Sequence, residues 1–290
     1  MQSLYSGGVE LTIECIKSLQ NSNIDNLTII VVDNCSPDNS CNIVKTYVEE
    51  SKAKNVIVLV SKENNGFSAG NNIGIKYAID HDADYVLLLN NDTVVDPEMV
   101  SVLQKNCNDE RITVPQIYYF SHPDILWYAG GKIDYKKGRF YHIGENESDI
   151  NRYNKKCKVD FATGCCLMIS KSVIQKIGML YEPFFMYCED VEYSLRLQRA
   201  GISILYCPDA KLWHKVSSTS GSKSKTNLYY GNRNRLYILK MYDFAFSAWV
   251  FTISTRIIYY IRGLITHSDE RIIGRAIKDY YKGILGKVAL

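Results

Sequence analysis

The stretch Tyr85-Val-Leu-Leu-Leu-Asn-Asn-Asp-Thr-Val-Val95 decides the fold class, because an apolar run ends abruptly in three polar residues. A short apolar run that ends in turn-forming residues is typical of a buried strand. Open α/β sheets bind their ligands at the carboxyl ends of the strands, where Asp92 would lie. A carboxylate there can bind a hard divalent cation, and the cation can bind a diphosphate. The alternative is a strand followed by an Asx turn that binds nothing.

Strands and helices alternate on both sides of this stretch. Apolar runs predict strands at residues 27–32, 56–60, 85–89, 161–169 and 202–206. The intervening segments predict helices at residues 9–20, 40–51, 67–81, 97–108, 172–177 and 190–200. The pattern weakens over residues 111–158, where we expect short antiparallel strands and loops. Such alternation predicts an α/β fold with a mostly parallel sheet between layers of helices.

Composition limits the class of protein. The chain has 290 residues, of which 46% are hydrophobic and 22% are charged, as is usual for globular proteins. A net charge of +3 is too small to indicate nucleic-acid binding, so we expect no nucleic-acid partner. The nine cysteines follow neither a zinc-binding nor a disulfide pattern. They therefore indicate reduced thiols and a cytoplasmic location.

Two further segments are candidates for contact with a nucleotide. Asp33 ends an apolar strand as Asp92 does, and its carboxylate could accept hydrogen bonds from a ribose or a base. It could equally cap a helix. Residues 64–74 carry a glycine at every fourth position where a helix is predicted to start. Such a start leaves backbone N–H groups free for a phosphate, although close packing of small residues explains it equally well.

Three carboxylates, those of Glu189, Asp190 and Glu192, stand at the start of a predicted helix. Acidic residues are favoured there by the helix dipole, so stabilisation of the helix is a sufficient explanation. A carboxylate in an aromatic environment, with its pKa adjusted by burial, could instead act as a general base. His214 on its own is more often structural than a ligand, and it becomes a candidate only if it shares a site with Asp92.

Six motifs in this order resemble family 2 glycosyltransferases, and their rhamnosyltransferase-like branch in particular. They are Val31-Val-Asp-Asn34, Asn65-Gly-Phe-Ser-Ala-Gly-Asn71, Leu89-Asn-Asn-Asp-Thr93, Thr163-Gly-Cys-Cys-Leu-Met168, Phe185-Met-Tyr-Cys-Glu-Asp-Val-Glu192 and Trp213-His-Lys215. Asn232-Arg-Asn-Arg235 further along is also similar to that branch. The resemblance implies a GT-A fold with a catalytic core over residues 1–222 and a helical extension over residues 223–290.

The resemblance also implies an activity, namely the inverting transfer of a sugar in cell-surface polysaccharide synthesis. The donor would be a nucleotide-diphosphate sugar of the dTDP-rhamnose or UDP-sugar type, and the acceptor a hydroxyl of a glycan or lipid-linked molecule. Asp190, with Glu189 beside it, would deprotonate that hydroxyl, while Asp92 and His214 would bind Mn²⁺ or Mg²⁺. The residues implied to contact the nucleotide sugar are Asp33, Asn65, Gly66, Gly70, Asn90, Asn91 and Gly164.

The start of the chain departs from the family pattern. Family members open with an apolar strand inside the sheet, and here only Leu4-Tyr5 resembles a remnant of it. Without that strand, its neighbours would carry unpaired backbone groups, which are costly when buried. An alternative function follows: an N-terminally truncated, inactive relative that binds nucleotide sugars and acts as a binding or scaffold protein.

The carboxyl-terminal segment is typical of a helix that lies on a membrane surface. Residues 244–265 are apolar and aromatic, but Arg256 and Arg262 interrupt them, so they do not predict a membrane span. Basic residues between positions 271 and 287 suit an anionic membrane. We therefore expect residues 244–287 to make peripheral contact with the inner face of the membrane. The alternative is a helical hairpin that covers the core or contacts another subunit.

Overall fold

The computed structural model describes residues 8–148, 150–216 and 224–290, with only the backbone described at residue 150. The α-helices are α1 (Val9–Gln20), α2 (Ser40–Glu50), α3 (Phe67–Asp80), α4 (Met99–Asn106), α5 (Lys171–Ile177), α6 (Glu189–Arg199), α7 (Asn232–Met241), α8 (Phe246–Thr266) and α9 (Ile272–Tyr281). The strands are β1 (Ile29–Asp33), β2 (Val56–Val60), β3 (Tyr85–Leu89), β4 (Thr93–Val95), β5 (Arg111–Tyr119), β6 (Leu126–Tyr128), β7 (Gly131–Asp134), β8 (Arg139–His142), β9 (Cys157–Val159), β10 (Cys166–Ser170) and β11 (Ser203–His214).

One seven-stranded sheet forms the centre of the molecule. Its main path is β3–β10–β5–β11–β4, while β6 pairs with β5 and β9 pairs with β11. Strands β3, β5 and β11 run in one direction, and β10 and β4 run against them. The end of β3 meets the start of β10, where Asn90 N donates to Cys165 O at 2.9 Å. The end of β11 meets the start of β4 at His214 and Thr93. This pairing brings three predicted site segments to one edge.

Strands β1 and β2 form a separate parallel pair. The N–H of Ile29 and the carbonyl of Asp33 are hydrogen-bonded on the β2 side, at 2.8 Å each. Among the described residues, no strand pairs with the other edge of β1 or with the outer edge of β3. Leu4-Tyr5, the suggested remnant, lies outside the described residues.

Two strands are longer than the sequence pattern predicts. We expected only short antiparallel strands over residues 111–158, but β5 has nine residues and lies in the middle of the sheet, parallel to β11. The predicted end of β11 at residue 206 was also wrong, because the strand continues to His214 across an irregularity between Cys207 and Lys211. Bulges allow a strand to continue past residues that do not pair. His214 therefore ends a strand and does not lie in a loop after it.

The carboxyl-terminal segment is helical, as predicted. A π-helical turn over Asn227–Gly231 leads into α7, and α8 and α9 pack against one another and against α7. Among the helices of the described residues, none combines the length and apolar character needed to cross a bilayer. The predicted boundary between residues 222 and 223 falls outside the described part of the chain.

Candidate active site

Asp92 and His214 meet at the edge of the sheet. Asp92 lies in the turn between β3 and β4, and His214 ends β11, which pairs with β4. The Nε2 atom of His214 lies 3.1 Å from Oδ1 of Asp92. The backbone N–H of Lys215 donates to the carbonyl oxygen of Asp92 at 2.8 Å. His214 was a candidate ligand only if it lay beside Asp92, and the structure shows the two side chains in direct contact.

The surroundings of His214 favour its charged form. Burial opposes the imidazolium, but the Cys165 sulfur and the Asp92 carboxylate outweigh it and raise the pKa of His214 to about 10. The indole ring of Trp127 packs edge-on against the imidazole, with centroids 4.7 Å apart. A histidine must be neutral to bind a metal, so a cation held by both side chains would displace this proton.

Asp92 and His214 together could provide two ligands for a metal ion. In the described ranges, no cluster of three or more His, Cys, Asp or Glu side chains could hold a metal ion. Two protein ligands nevertheless fit a cation such as Mg²⁺, which usually takes its other ligands from water and substrate phosphates. The side-chain oxygen of Asn90, in the same turn as Asp92, is buried without a hydrogen-bond partner. It is a candidate for a third ligand of the cation.

Asp190 lies beside the same edge, in the first turn of α6. Its Oδ2 accepts a hydrogen bond from the Gly164 backbone N–H at 3.0 Å, and its Oδ1 accepts one from the α6 backbone at 2.8 Å. The residue after Gly164 is Cys165, whose side chain contacts His214. Asp190 is therefore connected to the pair of Asp92 and His214 through two consecutive residues, Gly164 and Cys165.

The three carboxylates at the start of α6 lie in different environments. Glu192 is 2% exposed, and its carboxylate accepts bonds from Arg196 and Tyr242 at 2.8 Å each, which makes it structural. Glu189 is buried, and its Oε2 has no hydrogen-bond partner. Burial, and then the Asp190 charge, raise the pKa of Glu189 well above its usual range. Burial also raises the pKa of Asp190, despite the N–H groups that stabilise its charged form.

A cleft of about 240 Å³ lies at the start of α3. Two predicted nucleotide contacts, Gly66 and Gly70, line it together with Asn34. The Nδ2 of Asn34 donates to the Gly66 carbonyl at 2.8 Å, while its side-chain oxygen is buried without a hydrogen-bond partner. Gly66 has a φ of +94°, and a Cβ on it would lie 2.1 Å from the Phe185 carbonyl oxygen. Only glycine permits this approach between the start of α3 and the segment before α6.

The other predicted nucleotide contacts have different surroundings. Asn65 is exposed. Asp33 is 3% exposed and accepts a bond from Ser36 N at 3.2 Å, so it forms a turn and does not cap α2. Asn91 donates to the Thr12 hydroxyl at 2.8 Å and thereby joins the site turn to α1.

One wall of the cleft was missed from the sequence. The lining residues from the carboxyl-terminal segment are Thr226, Tyr230, Lys287, Val288 and Leu290. No local pattern in those residues indicates a ligand site. Their position becomes apparent only when α9 and the residues after it are packed against α7.

The segment at residues 184–188, here called the site loop, has a strained backbone just before α6. The residues with positive φ are Phe185 at +66°, Tyr187 at +66° and Cys188 at +69°. Such conformations cost free energy and persist only where the surroundings hold them. Asn234 on α7 donates to three carbonyl oxygens of the loop at 2.9–3.0 Å. Arg233, which is fully buried, donates to the carbonyls of Phe184 and Gly286 at 3.1 and 3.0 Å. The Asn-Arg-Asn-Arg motif thus holds the loop that leads into α6, the helix that carries Asp190.

A mixed α/β fold with a cleft, and with an Asp–His pair and a half-buried aspartate beside one edge of its sheet, is typical of nucleotide-sugar transferases. Residues 9–178, more than half of the chain, match the family described as Glycosyl transferase family 2. The chain belongs to this family and is a glycosyltransferase. The resemblance drawn from its motifs is therefore confirmed.

Relatives with assigned names agree with this class. The "Low-salt glycan biosynthesis hexosyltransferase Agl10" of Haloferax volcanii is 29% identical over 243 residues, which are 75% of this chain and 76% of that protein. The "dTDP-rhamnosyl transferase RfbF" of Shigella flexneri is 25% identical over 187 residues, which are 61% of this chain and 60% of that protein.

Solved structures share the fold. GalNAc-T7, crystallised with UDP, GalNAc and Mn²⁺, has a TM-score of 0.62 at 13% identity, over 79% of this chain and 46% of that one. The mannosyltransferase PcManGT from Pyrobaculum calidifontis, in complex with GDP-Man and Mn²⁺, has a TM-score of 0.57 at 10% identity, over 97% and 73%. At these identities the similarity confirms the GT-A fold and nothing finer.

Proposed function

We propose that this glycosyltransferase moves a sugar, with inversion, from a nucleotide-diphosphate donor to a hydroxyl of a glycan or lipid-linked acceptor. The donor would be of the dTDP-rhamnose or UDP-sugar type. The observation that carries the proposal is the chain of contacts that connects Asp92 and His214, through Cys165 and Gly164, to Asp190. A rhamnosyl transferase among the relatives, and solved neighbours that contain UDP or GDP-Man, support this choice of donor.

The nucleotide would bind in the cleft at the start of α3. Gly66 and Gly70 leave room for it, and the unpaired side-chain oxygen of Asn34 would accept a hydrogen bond from the base or ribose. Asp33, at the end of β1, would supply a carboxylate to the nucleoside, as the resemblance implies. Asp92 and His214 would hold Mn²⁺ or Mg²⁺. When bound, the cation neutralises the charge that develops on the leaving diphosphate.

Asp190 would act as the base. The N–H of Gly164 fixes one of its oxygens at 3.0 Å, so the carboxylate has a defined orientation. A raised pKa makes it a better proton acceptor than an exposed aspartate. Asp190 takes the proton of the acceptor hydroxyl, and the hydroxyl oxygen forms a bond to the anomeric carbon. The bond from that carbon to the diphosphate breaks on the opposite face, so the configuration inverts and the nucleoside diphosphate leaves with the bonding electrons.

The proposal is tested by combining donor binding with turnover. Calorimetry with UDP-sugars and dTDP-rhamnose, with and without Mn²⁺, identifies the donor, and release of the nucleoside diphosphate reports transfer. Asp190→Asn should lower turnover by orders of magnitude and leave donor affinity within about threefold, since the base contributes to catalysis rather than to ground-state binding. Asp209→Asn, at an exposed position of β11, is the matched control. Normal turnover in Asp190→Asn would refute the assignment of the base.

We further propose that the protein acts at the cytoplasmic face of a membrane, which it contacts through α8 and α9. Large apolar side chains of α8 are 45–82% exposed: Phe246, Val250, Ile257, Ile258, Ile261, Leu264 and Ile265. Lys278 and Lys282, on and just after α9, are exposed and suit anionic headgroups. Sedimentation with phosphatidylglycerol vesicles should be lost in Ile258→Asp and retained in wild type. Equal sedimentation of both would contradict membrane contact through α8.

A further inference from the structure

Two arginine side chains lie close together behind the site loop, Arg235 on α7 and Arg256 on α8. Arg256 is 5% exposed, and Arg235 is half-buried. Burial, and then the neighbouring Arg235 charge, lower the pKa of Arg256 to about 9. Both guanidinium charges also act to lower the pKa of the Cys188 thiol, which burial raises overall. Cys188 is the residue immediately before Glu189. The two positive charges are therefore grouped next to the start of α6.

Among the described residues, no carboxylate forms an ion pair with Arg235 or Arg256. Arg256 donates one hydrogen bond, at 3.0 Å, to the Thr252 carbonyl of its own helix. Arg235 lies over the Phe140 ring, 5.1 Å from the centroid. The Nε atoms of both arginines are buried without a hydrogen-bond partner.

Arg233, in the same motif, shows what a satisfied buried arginine looks like in this fold. Its guanidinium donates to Asn234 Oδ1 and to the carbonyls of Gly286 and Phe184, all at 3.0–3.1 Å. Removing a guanidinium from water without such partners is costly, and two like charges close together add to the cost. Arginine forks match the oxygens of phosphates, which would supply the missing hydrogen bonds and the missing negative charge.

We propose that Arg235 and Arg256 bind the phosphate or diphosphate group that links the acceptor sugar to a lipid. The inference deepens the proposed function and rests on it, because it assigns the lipid-linked class of acceptor to a site beside Asp190.

Two observations favour the acceptor over the donor as the source of the phosphate. Neither arginine lines the cleft proposed for the nucleotide. Arg256 projects from the buried face of α8, and the opposite face of the same helix carries the exposed apolar side chains described above. A lipid chain attached to a phosphate at Arg256 would therefore have to pass around one helix to reach an exposed apolar surface. Cys188 connects this position directly to the helix start that carries the base.

The test uses geranyl diphosphate as a short prenyl diphosphate and geraniol as its phosphate-free analogue. Both are titrated into the full-length chain in the presence of EDTA, and UDP is titrated separately with Mn²⁺. Arg235→Gln and Arg256→Gln should each weaken geranyl diphosphate binding at least tenfold, equal to about 1.4 kcal/mol. Their affinity for UDP should not change. Arg199→Gln, an exposed arginine that pairs with Asp243 on the surface, should change neither affinity.

Several outcomes would overturn the proposal. Unchanged geranyl diphosphate affinity in both variants would do so, as would equal binding of geraniol. A parallel loss of UDP affinity would assign the arginines to the donor instead. Arg256→Met should melt at or above the wild-type temperature without ligand, since it removes an unpaired charge; a lower melting temperature with normal phosphate affinity would indicate a structural role. Arginine-dependent binding of geranyl diphosphate without any sugar transfer would refute the proposed function alone.

Discussion

Replacing Asn234 with alanine should release the site loop. Its Nδ2 donates to three loop carbonyls and its Oδ1 accepts from Arg233 Nε, all within a fully buried site. An amide nitrogen has only two hydrogens, so the three donated contacts count as two hydrogen bonds, and the accepted bond makes three. Their loss should cost about 3 kcal/mol, at about 1 kcal/mol each. The loop would then relax from its positive φ values, and Asp190 would lose its fixed position at the start of α6.

Thermal unfolding and turnover together measure this effect. At about 2–4 °C per kcal/mol for a protein of this size class, the melting temperature should fall by roughly 6–12 °C. Turnover measured well below the new melting temperature should also fall, with little change in donor affinity. Asn232→Ala is the matched control, since that side chain makes one bond, at 2.7 Å, to the Leu228 carbonyl one helical turn earlier. If both variants melt and turn over alike, the loop does not depend on Asn234.

Three further predictions concern the site itself. Because burial raises the pKa of Asp190, turnover should rise with pH along a limb above about 3.9, the ordinary value for aspartate, and Asp190→Asn should lack this limb. The folded state binds more protons than the unfolded state in that window, so stability should decrease as pH rises through it, and the decrease should be smaller in Asp190→Asn. Gly66→Ala should destabilise the protein by about 3 kcal/mol or more, because the Phe185 carbonyl blocks the new methyl group and φ is positive. The control Gly231→Ala should cost less than about 1 kcal/mol, because φ is helical and the nearest atom is 3.7 Å from the new Cβ. Equal melting temperatures of the two variants would contradict this reasoning. EDTA should lower nucleoside diphosphate affinity at least tenfold in wild type and have no effect in Asp92→Ala. An equal loss of affinity in Asp92→Ala would show that Asp92 does not bind the cation.

Local patterns were enough to locate most elements. The predicted bounds of α1, β2 and β3 agree with the structure, and those of α2, α3 and α6 differ by one residue. Each of these elements has an apolar run or an amphipathic stripe, and each is ended by turn-forming residues within its own segment. Prediction fails where pairing is not local. Strand β5 is stabilised by β10 and β11, which follow much later in the chain, so its own residues carry a weak signal.

In the candidate site too, local positions could be predicted from the sequence, whereas contacts between distant segments could not. The positions of Asp92 and Asp190 at the end of a strand and the start of a helix follow from sequence. Their neighbours do not, because the Asp92–His214 contact requires β11 to continue past Pro208-Asp209. The structural role of Glu192 could not be predicted either, since its partner Tyr242 follows α7, 50 residues later in the chain.

The far end of the chain has a consequence for how this enzyme is made. Gly286 N donates to the Pro183 carbonyl at 2.7 Å, and residues 287, 288 and 290 border the cleft. Proteins emerge from the ribosome amino terminus first. A nascent chain will therefore carry the sheet and its aspartates for some time before the pocket beside them has its last wall. An affinity tag fused after Leu290 would sit at the rim of that pocket, so a tag placed elsewhere, or removed before assay, is the sounder choice.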